Sequence, residues 1–241
     1  MKQNLYDNPE FFAYYSRLRA SKLTYNDFVE QPAFRSLLPS LQGKRVLDLG
    51  CGSGQLATYM LEQGAAHVTG TDISASMLSL APQHEQIEYI QAPMEQLDFS
   101  GNHFDIIVSS LALHYVEQYE AMIRKIAHWL RAGGTFIFST EHPLVTAKLD
   151  KEGWVENEQG ERLYYVIDQY SQEGIRRSHW VVDDVITYHR RLSTLINGVI
   201  QSGLRIEAVI EPEPTAEGLE KMPQLVDELR KPSFIVIGAS K

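Results

Sequence analysis

Two aspartates and three glycines carry the strongest chemical signal in this sequence. In the run VLDLGCGSG, Val46 to Gly54, the glycines Gly50, Gly52 and Gly54 alternate with other residues between an apolar stretch and a helix-like one. Such a turn lets a ligand lie against bare main chain, where a helix N-terminus presents N–H groups and partial positive charge. Asp48 puts a carboxylate at the end of the first strand, and Asp72, 22 residues after Gly50, ends the next one. In a doubly wound fold a carboxylate at that second place reads a ribose diol. Glycine also serves plain tight turns, so the two acids are what argue for a ligand.

The spacing narrows the ligand. Dinucleotide enzymes use G-x-G-x-x-G, whereas here the third glycine comes one residue early and Gln55 holds the expected place. A carboxylate at Asp48 repels a pyrophosphate, but it attracts the ammonium and sulfonium of a molecule such as S-adenosylmethionine (SAM). A nicotinamide-dependent oxidoreductase is accordingly disfavoured.

These residues need a scaffold, and from Lys44 onward the sequence supplies one. Apolar runs alternate with helical segments, the pattern of a parallel sheet covered on both faces. Strands are expected at Arg45 to Leu49, His67 to Thr71, Ile87 to Gln91, Phe104 to Ser109, Thr135 to Ser139, Leu204 to Ile210 and Phe234 to Ile237. Helices are expected at Gly54 to Gln63, Ser74 to Leu80, Tyr119 to Leu130 and Leu192 to Gln201, the third stopped by Gly133 and Gly134. The Pro- and Glu-rich stretch from Glu211 to Gly218 reads as a loop.

Two segments fall outside this alternation. Residues 1–42 place aromatic residues at helical spacing and predict a helical lid; residues 143–191, rich in Trp, Tyr and charge, predict an inserted β-rich cap. Residues 43–142 would form the cofactor-binding core and 192–241 its C-terminal part. The expected class is α/β: one domain, a doubly wound, mostly parallel seven-stranded sheet.

Composition excludes several roles. Lys plus Arg number 22 against 31 Asp plus Glu, a net charge of −9 that repels nucleic acid. No apolar run approaches the ~20 residues that span a bilayer, and the polar start lacks a secretory core. Cys51 is the single cysteine. A soluble cytoplasmic protein, monomer or homodimer, is expected.

The chain resembles the class I SAM-dependent methyltransferases, and among them the type 11 small-molecule group. The resemblance rests on Asp48-Leu49-Gly50-Cys51-Gly52-Ser53-Gly54, Thr71-Asp72-Ile73-Ser74, Phe104-Asp105-Ile106-Ile107 and Leu130-Arg131-Ala132-Gly133-Gly134, in the family's order. It implies that Gly50, Cys51 and Gly52 face the methionine part of SAM and that Asp48 helps hold its amino group. Asp72 would take the ribose hydroxyls, Ile73 and Met77 the adenine, and Ser109, Ser110 and Leu111 the opposite wall. One departure stands out: Pro93 occupies the place of a customary Asp, which passes adenine recognition to the backbone of Met94 or to Glu95.

The acceptor would sit beyond the carboxyl ends of the strands. Tyr6 and Tyr15 of the lid, Tyr115, Glu141 and Arg190 are the candidate contacts, with Arg190 suited to a carboxylate. His142, His189 and His114 are candidate general bases, needed only if the acceptor loses a proton. Each histidine also has an ordinary structural reading. No metal site is expected. The expected activity is methyl transfer to an unidentified small molecule; a non-catalytic SAM sensor is the alternative. Nucleic-acid methylation is less favoured, because Ser109-Ser110-Leu111-Ala112 stands where an Asn or Asp-Pro-Pro-aromatic tetrad would be.

Overall fold

The computed structural model describes residues 3–21, 23–147 and 153–241. Residues 1, 2 and 22 of the expected lid and 148–152 of the expected cap lie outside the described residues.

In chain order, α1 (Pro9–Ser21) and α2 (Gln31–Ser36) precede β1 (Arg45–Leu49), α3 (Gln55–Glu62), β2 (His67–Asp72), α4 (Ala75–Ser79) and β3 (Ile87–Gln91). Then come β4 (Phe104–Ser109), α5 (Tyr119–Trp129), β5 (Leu130–Glu141) and α6 (Pro143–Thr146). The hairpin strands β6 (Trp154–Glu156), β7 (Arg162–Tyr165), β8 (Gly174–Trp180) and β9 (Val182–His189) follow. Last are α7 (Leu192–Gln201), β10 (Arg205–Ile210), α8 (Ala216–Lys221) and β11 (Phe234–Ser240).

Seven strands form one sheet in the order β10-β11-β5-β4-β1-β2-β3, with β11 antiparallel to both neighbours. The fold is the α/β, doubly wound sheet that the sequence predicts. Every residue of β4 is buried, because helices cover both of its faces. On one face Leu47, Phe104, Ile107, Phe136 and Phe138 pack against Ile123 and Ile126 of α5 and Val199 of α7. On the other, Val46, Val68 and Ile106 meet Phe34 of α2 and Leu56, Ala57 and Met60 of α3. The apolar positions of α3 recur at 56, 57 and 60, which points one helical face at the sheet.

The winding reverses between β1 and β4, and in open α/β sheets ligands bind in the crevice beyond the carboxyl ends of the strands at such a switch point. The two hairpins, β6-β7 and β8-β9, stand outside the main sheet. Leu5 and Phe11 of the N-terminal segment pack on Val181, Val182 and Val185 of the second hairpin.

Two expectations need correction. Helix α5 is not closed by glycine: Leu130 is already extended and pairs with Phe104, so β5 starts directly after the helix. Burial of Leu130 in the core favours that strand start, and the left-handed Gly133 (φ +74°) lies within β5 instead. The loop expected to run to Gly218 ends at Thr215, whose hydroxyl accepts the Gly218 N–H and so starts α8.

Candidate active site

The glycine turn is fixed by main chain from the neighbouring strand. Gly50 N and Cys51 N both donate to Thr71 O, at 2.8 and 2.9 Å. Gly50 and Gly52 have φ of +77° and +54°. A Cβ on Gly50 would lie 2.4 Å from the Ala112 Cβ, so the turn after β4 approaches β1's turn as closely as a glycine allows. The Met94 and Met77 methyl groups also reach this turn, lying 3.6 and 3.2 Å from where Cβ atoms on Gly50 and Gly52 would be.

Asp72 links the two strand ends. One carboxylate oxygen accepts from Gly52 N and the other from Ser74 N, each at 2.8 Å. Burial raises its pKa, although these amides favour the charged form. Asp48 is 1% exposed, and its Oδ2 has no hydrogen-bond partner among the described residues. Burial first, and the nearby Asp72 charge second, raise its pKa to about 8. A buried acid with an open oxygen beside a glycine turn is a place for a cationic or hydrogen-donating ligand group. The SAM ammonium fits that requirement. Cys51 is buried and its thiol is pushed up by burial and then by Asp48 and Asp72, so it stays protonated and unreactive.

The other predicted cofactor contacts lie at the end of β4, on the turns that follow β2, β3 and β4, or on α4. Ser109 Oγ donates to Leu49 O across the β4-β1 boundary at 2.9 Å. Leu111 holds a left-handed φ of +51°, its N–H donating to Ser139 Oγ at 3.0 Å. Ile73 O accepts from Asn4 Nδ2 at 3.3 Å. Pro93 is extended and begins the short turn Met94–Gln96, while Glu95 O accepts Lys125 Nζ at 2.9 Å.

The N-terminal segment lies over the β2-α4 turn. Asp7 Oδ1 accepts the Ser74 hydroxyl at 2.5 Å and the Ser76 N–H at 2.9 Å. Although burial acts against it, these bonds hold the Asp7 pKa at about 2. Tyr6 packs edge-on against Tyr15, with ring centroids 5.0 Å apart. The Tyr6 and Tyr115 hydroxyls are hydrogen-bonded to each other, and burial raises both pKa values. After burial, neighbouring phenols and Asp72 raise Tyr6 further, and Glu141 raises Tyr115.

The structure assigns several predicted groups to other work. His142 Nδ1 accepts the Leu144 N–H at 3.1 Å, capping α6, and its Nε2 lies 2.9 Å from Glu211 Oε1. His189 is fully buried, with Nδ1 2.7 Å from Thr146 Oγ1 and Nε2 2.9 Å from Tyr170 O. Both histidines thus have both ring nitrogens engaged: His142 joins the start of α6 to Glu211, and His189 ties Thr146 to Tyr170 within the insert. His114 is buried against the Tyr115 ring at 4.3 Å, with Nδ1 3.4 Å from Thr140 Oγ1. Arg190 donates to Val116 O and Glu117 O and stacks on Tyr119, so its guanidinium is a strut rather than a carboxylate clamp.

Sequence reasoning missed Glu30. This carboxylate is 0% exposed and accepts the Ser139 and Ser110 hydroxyls, beside the crevice. No local pattern signals it, because its partners lie 80 and 109 residues away.

Comparison with known proteins decides the family. A methyltransferase-domain family model matches residues 47–138. An S-adenosylmethionine-dependent methyltransferase from Mesorhizobium loti is 39% identical, covers 88% of this chain and 97% of its own, and superposes with a TM-score of 0.82. The chain belongs to the SAM-dependent methyltransferases. A second structure of that class, from Listeria monocytogenes, is 37% identical over 88% of this chain and 96% of its own, with a TM-score of 0.83. An uncharacterized Haemophilus influenzae protein is 37% identical over 100% of this methyltransferase and 98% of its own length. The family's cofactor, SAM, matches the chemistry of the glycine turn and its two acids.

Proposed function

We propose that this methyltransferase binds SAM between the Gly50–Gly54 turn, Asp48, Asp72 and the Ser109–Ala112 turn, and methylates a small molecule held under the N-terminal segment. The observation that carries this reading is the buried, unpartnered Asp48 oxygen beside a glycine turn tied to Asp72. Bound there, SAM supplies an electrophilic methyl group on a sulfonium.

The protein's part is positioning. Asp48 and Asp72 hold the amino and ribose ends, and Met77, Ile73 and Met94 offer apolar surface to the base. Tyr6, Tyr15 and Tyr115 close the opposite side and exclude water, and alignment of two reactants can supply roughly 7–11 kcal/mol of a barrier. The electrostatic neighbours that raise Tyr6 and Tyr115 are phenols and carboxylates, which supports a neutral or basic acceptor. The two buried arginines of the insert, Arg176 and Arg190, donate to backbone carbonyls, so neither favours an acidic one. His114, buried beside the Tyr115 ring, is the histidine we assign to steering a departing proton. The net charge of −9 supports a cytoplasmic metabolite over nucleic acid.

Incubation with SAM and fractionated metabolite extracts tests the proposal. The expected result is S-adenosylhomocysteine formation matched by a one-methyl mass gain in a small molecule. SAM binding without turnover in any fraction, or turnover only with RNA, would overturn it.

A further inference from the structure

The wide helical turn Asn26–Glu30 buries Phe28, Val29 and Glu30 in succession, which a regular helix with one inward face does not do. Its last residue, Glu30, reaches the carboxyl ends of β4 and β5. There it accepts Ser139 Oγ at 2.5 Å and Ser110 Oγ at 2.9 Å on one oxygen, and Gln31 Nε2 at 2.8 Å on the other. The N–H of Leu111, the residue held at φ +51°, is shared between the Ser139 hydroxyl at 3.0 Å and the Ser139 main-chain oxygen at 3.2 Å. A non-glycine residue in that region is strained unless its surroundings hold it. The next residue, Ala112, is the one that closes on Gly50.

We infer that Glu30 is a positioning residue for the cofactor crevice: through Ser139 and Ser110 it locks the Ser110–Ala112 turn in the strained form that sets the gap to Gly50. A burial role alone is served by an apolar residue at lower cost, because a buried carboxylate must be compensated by every donor around it. Here two of the donors, the Ser139 and Ser110 hydroxyls, belong to residues that hold or form the turn closing on Gly50. Glu30 does not touch the reacting atoms; it acts through Ser139. The inference rests on the proposed placement of SAM in this crevice.

The test is a double-mutant cycle on SAM affinity in the full chain, measured by calorimetry alongside thermal melting. Ser139→Ala removes one hydroxyl and leaves the fold's volume nearly intact, so it remains informative if Glu30→Ala fails to fold. Each variant should raise Kd and the KM for SAM by about tenfold or more. The double variant should be little weaker than either single one, because both break the same link. Lower melting temperatures with unchanged Kd, or fully additive losses, would overturn the positioning role. Asp72→Ala run in parallel separates the two readings. If it loses affinity while Ser139→Ala does not, the positioning role alone fails; if neither loses affinity, the crevice assignment fails with it.

Discussion

The Asp72 carboxylate accepts the main-chain N–H of Gly52 at 2.8 Å, so the end of β2 is tied to the turn that follows β1. A second amide, Ser74 N, holds its other oxygen at the same distance. Its remaining lone pairs are therefore held in place before a ligand arrives. Asp72→Ala should weaken SAM binding by about two orders of magnitude, since hydrogen bonds to a charged group contribute roughly 1.5–3 kcal/mol each. Titration calorimetry reads this directly, and wild-type affinity would contradict the assignment.

Asp48 predicts a pH signature. Its pKa in the fold is about 8, far above the ordinary carboxylate value of 3.8, so the folded chain binds more protons than the unfolded one between those limits. Stability from this group is thus fully present at low pH and lost as pH rises through about 8. Asp48→Asn should raise Tm at pH 8 by an amount equivalent to roughly 1–4 kcal/mol and do little at pH 4. SAM affinity should tighten from pH 6 to 8 in the wild type as Asp48 ionises, and this Asp48 contribution should vanish in the Asn variant.

His142 and His189 should behave as structural residues. Burial lowers both pKa values, so each is held neutral and contributes stability that falls away as pH drops through the ordinary histidine range. Replacing either by Asn should cost about 1–3 kcal/mol in unfolding experiments. The pH profile of turnover should keep its wild-type shape; a lost limb in either variant would restore that histidine as a base.

The N-terminal segment should act as a latch on bound cofactor. Asp7→Ala removes the acceptor for the Ser74 hydroxyl and the Ser76 N–H, and with it two of the polar ties between this segment and the β2-α4 turn. Limited proteolysis should cut that segment faster, and stopped-flow measurements should show SAM leaving about tenfold faster. Unchanged cleavage and release would show that the segment stays closed without Asp7.

The sheet and the glycine turn were legible because their signals are local. Val46 to Leu49 is a continuous apolar run broken only by Asp48, and Gly50 follows it at once. Glu30 was invisible for the opposite reason: it matters through Ser110 and Ser139, which only the folded sheet brings to it. Arg190 reads in the sequence as a candidate for a substrate carboxylate or as an ordinary surface charge, and only the fold shows the Val116 and Glu117 carbonyls that engage it. The sequence leaves His142 and His189 open between two roles, since histidine suits both proton transfer and bridging, and the partners on each ring nitrogen appear only in the fold.

A crystal structure of the complex with S-adenosylhomocysteine tests the central claim most directly. The amino acid part should lie on Gly50 to Gly52 with its ammonium at Asp48, and the ribose hydroxyls should meet Asp72. A ligand seated elsewhere on the protein, or a crevice left empty at saturating concentration, would contradict it.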